Sequence, residues 1–178
     1  VNTIDYVNRI KDVKEIKFNG NPDLIEIIGE NVDSQYIEEI AKLSLSPDII
    51  KNHSDLKIVY TPIHGTGKTM IPRSLERWGF RNIIHVPEQD VQSGDFPTVE
   101  SPNPEVPSAM AMAIAKAKEV NADIVMASDP DADRIGCVIR DNSGEYVLIN
   151  GNQIVMFLLN YIMQRNRELG RLKGNEFI

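Results

Sequence analysis

Apolar residues recur at every third position near the start of the chain, at Ile4, Val7, Ile10 and Val13, and this spacing predicts a short helix over residues 4–16. Asn19-Gly20-Asn21-Pro22 ends it. A second stripe, Tyr36, Ile37, Ile40 and Leu43, follows Asp33 as candidate N-cap. Ser46-Pro47 can open a third helix, with proline in the first turn. From residue 56 the pattern changes, and short β-rich apolar runs alternate with helical ones. Strands are expected over 56–60, 82–86 and 123–127. Between them lie a helix over 70–78, closed by Gly79, and one that starts at Asn103-Pro104-Glu105 and runs through Met110, Ile114 and Ala117. A further strand, 135–140, follows too soon for a parallel return and should run antiparallel to the third. Asn142-Ser143-Gly144 turns it into Tyr146-Val147-Leu148, and the last helix, 152–169, sets Ile154, Phe157, Leu158, Tyr161 and Ile162 on one face.

Strand–helix–strand–helix–strand order implies parallel strands joined by right-handed crossovers. The fold class is therefore α/β: a three-layer α/β/α arrangement around a mixed sheet of three parallel strands and one antiparallel. With 178 residues, 42% of them apolar, the chain suits one globular domain. A net charge of −7 argues against nucleic acid and against a polybasic membrane surface as partners. No apolar run is long enough to cross a membrane, and the lone cysteine, Cys137, suits a reducing, cytoplasmic setting and a packing role.

The chemistry concentrates in Ser128-Asp129-Pro130-Asp131-Ala132-Asp133-Arg134. Three carboxylates at alternate positions leave the carboxyl end of a buried strand, the edge at which open α/β sheets bind ligands. Carboxylates so close repel one another unless a positive charge compensates. A hard divalent cation with oxygen ligands, Mg²⁺ above all, does so, and Arg134 offers a planar fork for a phosphate. A calcium EF-hand loop is excluded, because Arg134 and Arg140 stand where it needs Gly and Glu. A small haloacid-dehalogenase-like phosphatase with an aspartate nucleophile and Mg²⁺ remains the alternative.

The segment Asp129-Pro-Asp-Ala-Asp-Arg134 resembles the metal loop of the α-D-phosphohexomutases, the phosphoglucomutase/phosphomannomutase family. Three more blocks agree in order: Lys57-Ile-Val-Tyr-Thr-Pro-Ile-His-Gly-Thr-Gly67, then Phe96-Pro-Thr-Val99 with Pro102-Asn-Pro-Glu105, then Gly151-Asn-Gln153. In that family four domains surround a cleft, and the resemblance implies that this chain is the second. It implies Mg²⁺ on Asp129, Asp131 and Asp133, with the remaining ligand a phosphoserine oxygen from the first domain and Arg134 beside that phosphate. The enzyme would be an isomerase of carbohydrate metabolism that interconverts hexose 1-phosphate and 6-phosphate. Its partners would be the remaining domains and a phosphosugar. No Thr-Ala-Ser-His-Asn-Pro, Gly-Glu-x-Ser-Gly-His or Arg-x-Ser-Gly-Thr string occurs, so the chain alone should be inactive. The expected division is a lead-in over 1–24, the metal-binding domain over 25–170 and a connector over 171–178, where Phe177-Ile178 begins a new apolar run.

Gly65-Thr66-Gly67-Lys68-Thr69 ends like a phosphate-binding Walker loop, but Pro62 occupies the position of its first glycine. His64 and Gly65 follow a parallel strand, so two readings stand open: a loop near the metal site, or a Gly-rich turn with a satisfied histidine; Lys68 is assigned no role.

Overall fold

The computed structural model describes residues 2–174 and Glu176. The apolar run expected at Phe177-Ile178 lies outside the described residues. Strands β1 (Lys57–Thr61), β2 (Asn82–His85), β3 (Ile124–Ser128), β4 (Ile135–Arg140) and β5 (Tyr146–Ile149) form one sheet in the order β2-β1-β3-β4-β5. β1 lies parallel to β2 on one side and to β3 on the other. β4 runs antiparallel to β3, as the short connection requires, and β5 antiparallel to β4. The α/β class and mixed sheet follow the expectation, and the Tyr146 run joins as a fifth strand.

Helices are α1 (Thr3–Val7), α2 (Gly29–Ala41), α3 (Pro47–Asn52), α4 (Gly67–Trp78), α5 (Pro107–Val120) and α6 (Gly151–Glu168). Alternation along each strand sends successive side chains to opposite faces. Val59, Val125 and Val138 form one face with Ala109, Met110, Ala113 and Ala117 of α5, all at 0–1% exposure. Tyr60, next to Val59 and therefore facing the other way, meets the start of α4. The small alanines of α5 let the helix approach the sheet closely, and α4 covers the opposite face. Arg73 and Arg77 of α4 pair with Asp33 and Glu38 of α2 and hold α2 outside α4.

Several boundaries differ from the sequence pattern for local reasons. The expected helix over 4–16 is only α1 followed by a 3₁₀ turn at Val13–Glu15, because no side chain of residues 2–24 is buried to support more. α2 starts at Gly29, and Asp33 binds Arg73 instead of capping. Asn103 accepts the Glu105 amide in a turn, and α5 starts at Pro107, because the residue before a proline is kept extended (Val106, φ −88°, ψ 121°). The apolar face expected of α6 is largely uncovered: Ile154 is buried, but Phe157 is 65% and Leu158 50% exposed. The helix is anchored by its capping box at Asn150 and Gln153 and by Tyr161 Oη on Ser46 Oγ at 2.7 Å, not by an apolar seam.

Candidate metal centre

β1 sends its connection toward β2, and β3 sends its own toward β4. The carboxyl ends of β1 and β3 therefore form a topological switch point, where open α/β sheets leave a crevice. Residues 62–66 leave one strand there and residues 129–134 the other.

In an extended strand, alternate aspartates would spread along the chain. Here Ala132 adopts φ 62° and its amide donates to the Asp129 carbonyl at 3.0 Å, so the loop curls. One oxygen from each of Asp129, Asp131 and Asp133 then lies within 4.8 Å of the others. The structure thus brings together all three predicted ligands. Asp129 is 1% exposed, whereas Asp131 and Asp133 face solvent.

Arg134 balances this charge. Its backbone N–H donates to Asp129 Oδ1 at 3.0 Å and its Nε to Oδ2 at 2.7 Å; Asp133 Oδ1 lies 3.7 Å from the same Nε. Burial pushes the Asp129 carboxyl up, but the Arg134 amide and guanidinium outweigh it and hold the group below the usual carboxylate range. Asp133 is pushed up, first by Asp131 and then by Asp129. The loop therefore carries one firmly ionised carboxylate and two exposed ones whose mutual repulsion a cation would relieve. An all-oxygen donor set of this kind can hold a hard metal ion.

The loop is fastened from behind. Gly65 lies so close to Pro130 that a Cβ there would come 2.4 Å from Pro130 Cα. Thr66 donates both its backbone N–H and its hydroxyl to the Pro130 carbonyl. Of the expected loop, Gly65 makes that contact, and His64, one residue before it, is 3% exposed. Its ring binds Val91 O through Nδ1 (2.7 Å) and Thr98 Oγ1 through Nε2 (2.8 Å). Lys68 is exposed on the first turn of α4. A buried group escaped the sequence pattern altogether. Thr61 Oγ1 donates to Gln89 Oε1 at 2.7 Å, and Gln89 Nε2 reaches Thr98 Oγ1 at 3.2 Å. Gln89 sits in a loop rich in Pro, Gly and Asp, where nothing in composition signals burial.

The four ordered blocks prove to be one contiguous assembly. The first touches the metal loop through Gly65 and Thr66, Thr98 of the second holds His64, Pro104 rests on Gly136, and Glu105 Oε1 accepts the Gly151 amide at 2.8 Å. A family model described as phosphoglucomutase/phosphomannomutase, alpha/beta/alpha domain II, matches residues 34–144. The chain belongs to this family. It is 37% identical over 163 residues to a phosphoglucomutase of Staphylococcus haemolyticus (strain JCSC1435), covering 89% of the chain and 29% of that protein. To a phosphoglucomutase of Staphylococcus aureus (strain USA300) it is 35% identical over 159 residues, covering 84% and 29%. The fold matches the crystal structure of a phosphoglucomutase/phosphomannomutase family protein from Burkholderia thailandensis, with a TM-score of 0.59, 24% identity, and coverage of 76% of this chain and 26% of that one. The chain thus spans under a third of the length of the curated relatives it matches. Among the described residues, no helix is long and apolar enough to cross a membrane.

Proposed function

We propose that this phosphohexomutase domain is the Mg²⁺-holding part of a cytoplasmic enzyme that interconverts hexose 1-phosphate and 6-phosphate. The phosphoryl-carrying serine and the sugar-binding loops would lie in other domains of that enzyme. The observation that carries the reading is the convergence of Asp129, Asp131 and Asp133 at the switch point, with Arg134 beside them. On this reading residues 25–170 form the metal-binding domain, 1–24 lead into it from a preceding domain, and 171–178 begin the connector to the next.

The three aspartates would hold the ion, which when bound neutralises charge on the phosphate oxygens during phosphoryl transfer. The chain's own residues prepare that site. Arg134 keeps Asp129 ionised and oriented despite its burial, so the carboxylate is ready as a ligand at neutral pH. Because Arg134 holds Asp129 through Nε, its Nη groups can serve a phosphate oxygen. Pro130, held by Gly65 and Thr66, fixes the height of the loop over the sheet. Transfer of this kind depends on positioning and electrostatics, so a domain without a nucleophile still contributes to the rate. The phosphatase alternative takes Asp129 or Asp131 as nucleophile, and the activity assay below separates it from the mutase reading.

The test is a titration of the chain with Mg²⁺ followed by amide NMR. Shifts confined to residues 129–134, abolished by Asp131→Asn, support the reading, and their absence at millimolar metal counts against it. In parallel, the chain alone should convert no hexose 1-phosphate and hydrolyse no aryl phosphate. Turnover of the first would place the missing machinery on this chain, and turnover of the second would favour the phosphatase.

A further inference from the structure

We infer that His64 is a positioning residue for the metal loop: it locks the 87–99 loop to the 62–66 turn, whose Gly65 and Thr66 support Pro130. The inference rests on the metal-binding reading of 129–134.

The backbone argues first. Ile63 and His64 both have positive φ, 45° and 64°, a region that is strained for most residues with a Cβ. Such a conformation persists only where surrounding contacts enforce it. They are present on every side of His64. Its backbone N–H donates to Gln89 O at 2.8 Å, and its carbonyl accepts from the Ser93 amide at 3.2 Å. The ring then spans Val91 O and Thr98 Oγ1.

Hydrogen-bond bookkeeping selects one arrangement. Val91 O can only accept, so His64 Nδ1 carries a proton, and in the neutral imidazole Nε2 accepts. Thr98 therefore donates its hydroxyl to His64 while accepting from Gln89 Nε2, and Gln89 Oε1 accepts from Thr61. Thr61 Oγ1 in turn accepts the Ile63 amide at 3.1 Å, which returns to the strained turn. The circuit starts at the end of β1, crosses the buried loop and closes on His64. A buried, fully satisfied network of this kind rigidifies what it joins. What it joins is the Gly65–Thr66 segment, which follows His64 directly and makes the Pro130 contact. With the imidazole gone, the turn can relax away from its positive φ values, and Pro130 loses its support.

The experiment compares the native chain with His64→Ala, His64→Asn and Thr98→Val by amide hydrogen exchange without metal, then by Mn²⁺ binding. In His64→Ala, exchange at Thr66, Ala132 and Arg134 should rise roughly five- to tenfold relative to the core amides of Val59 and Val125. Mn²⁺ affinity should fall about as far. Asn tolerates positive φ and can still donate to Val91 O, so His64→Asn should recover most of both losses. A role limited to global stability would accelerate all amides together and leave Mn²⁺ affinity unchanged, and that result overturns the inference. So does unchanged exchange at the three loop amides. If His64→Ala leaves the core unprotected, Thr98→Val, which alters no residue of the turn or metal loop, decides by the same comparison. Failure of the native chain to bind Mn²⁺ would defeat the metal reading instead, while the metal-free exchange ratios still judge the coupling between His64 and the loop.

Discussion

Thr66 reaches across the switch point to Pro130: its amide donates to the Pro130 carbonyl over 2.8 Å and its hydroxyl over 3.0 Å. The contact works only because the neighbouring residue is Gly65, since any Cβ there would overlap Pro130 backbone at 2.4–2.8 Å. Backbone cannot swing aside as a long side chain would. Gly65→Ala should therefore lift the metal loop and destabilise the chain by about 1–3 kcal/mol. It should also weaken Mn²⁺ binding. Gly94→Ala, with nothing within 4 Å, is the control and should stay within about 0.5 kcal/mol. Equal unfolding midpoints for the two variants in urea would show that the approach does not matter.

Arg134 compensates a carboxylate that is 1% exposed, but its own side chain is 53% exposed, so solvent weakens the ion pair. Arg134→Met should therefore lower stability at pH 7 only modestly. Asp129 titrates below its unfolded value of 3.8, so its stabilising contribution is complete above that value and disappears as pH falls through the lower folded one. The stability gap between native and Arg134→Met chains should accordingly hold steady from pH 7 down toward 3.8 and narrow as pH falls below it. A gap that widens in acid would reverse the assigned sign.

The aspartate cluster was legible in sequence because three like charges at one strand end are costly unless a positive charge compensates them. The strand directions were legible for a similar reason, since alternation and loop length leave few choices. The limits of α5 were not. Asn103-Pro104-Glu105 has every helix-start residue, but the second proline, Pro107, moves the start downstream. The pattern also failed at α6, where helical periodicity marks an apolar face but not what lies against it. At the site itself, the Thr61, Gln89 and Thr98 network was invisible because polar residues in a loop read as solvated until tertiary contacts bury them.

Tyr60 lies beneath the metal loop at 1% exposure, its hydroxyl 2.8 Å from Ser128 Oγ. Burial pushes its phenol up to about 12 from an ordinary 10, only partly offset by Ser128. The unfolded chain therefore ionises first. The native advantage is complete below pH 10 and is lost as pH rises toward 12, to a total of roughly 2–3 kcal/mol. Urea unfolding between pH 9 and 12 should show this decline in the native chain. In Tyr60→Phe the slope should be shallower, with an offset at neutral pH because Ser128 loses its partner. Parallel profiles for the two chains would remove Tyr60 as the source.

A ligand that binds only the folded chain raises its stability by mass action, so Mn²⁺ should raise the thermal midpoint in a concentration-dependent way. At ten times the dissociation constant the gain is about 1.4 kcal/mol, which for a domain of this size is roughly 3–6 °C. Asp131→Asn should abolish that gain. It should not lower the midpoint of the metal-free chain, because Asp131 is exposed and is the largest source of the repulsion on Asp133. This pairing separates a ligand from a structural carboxylate, whose loss would cost stability with or without metal. Protons should compete with the ion. Asp133 is already pushed up by Asp131 and Asp129, so it takes up a proton at a higher pH than an ordinary aspartate. The Mn²⁺-induced gain should therefore shrink as pH falls through that raised value, before the fold itself loses the contribution of Asp129. A gain that persists undiminished down to the pH at which Asp129 titrates would mean that Asp133 is not a ligand.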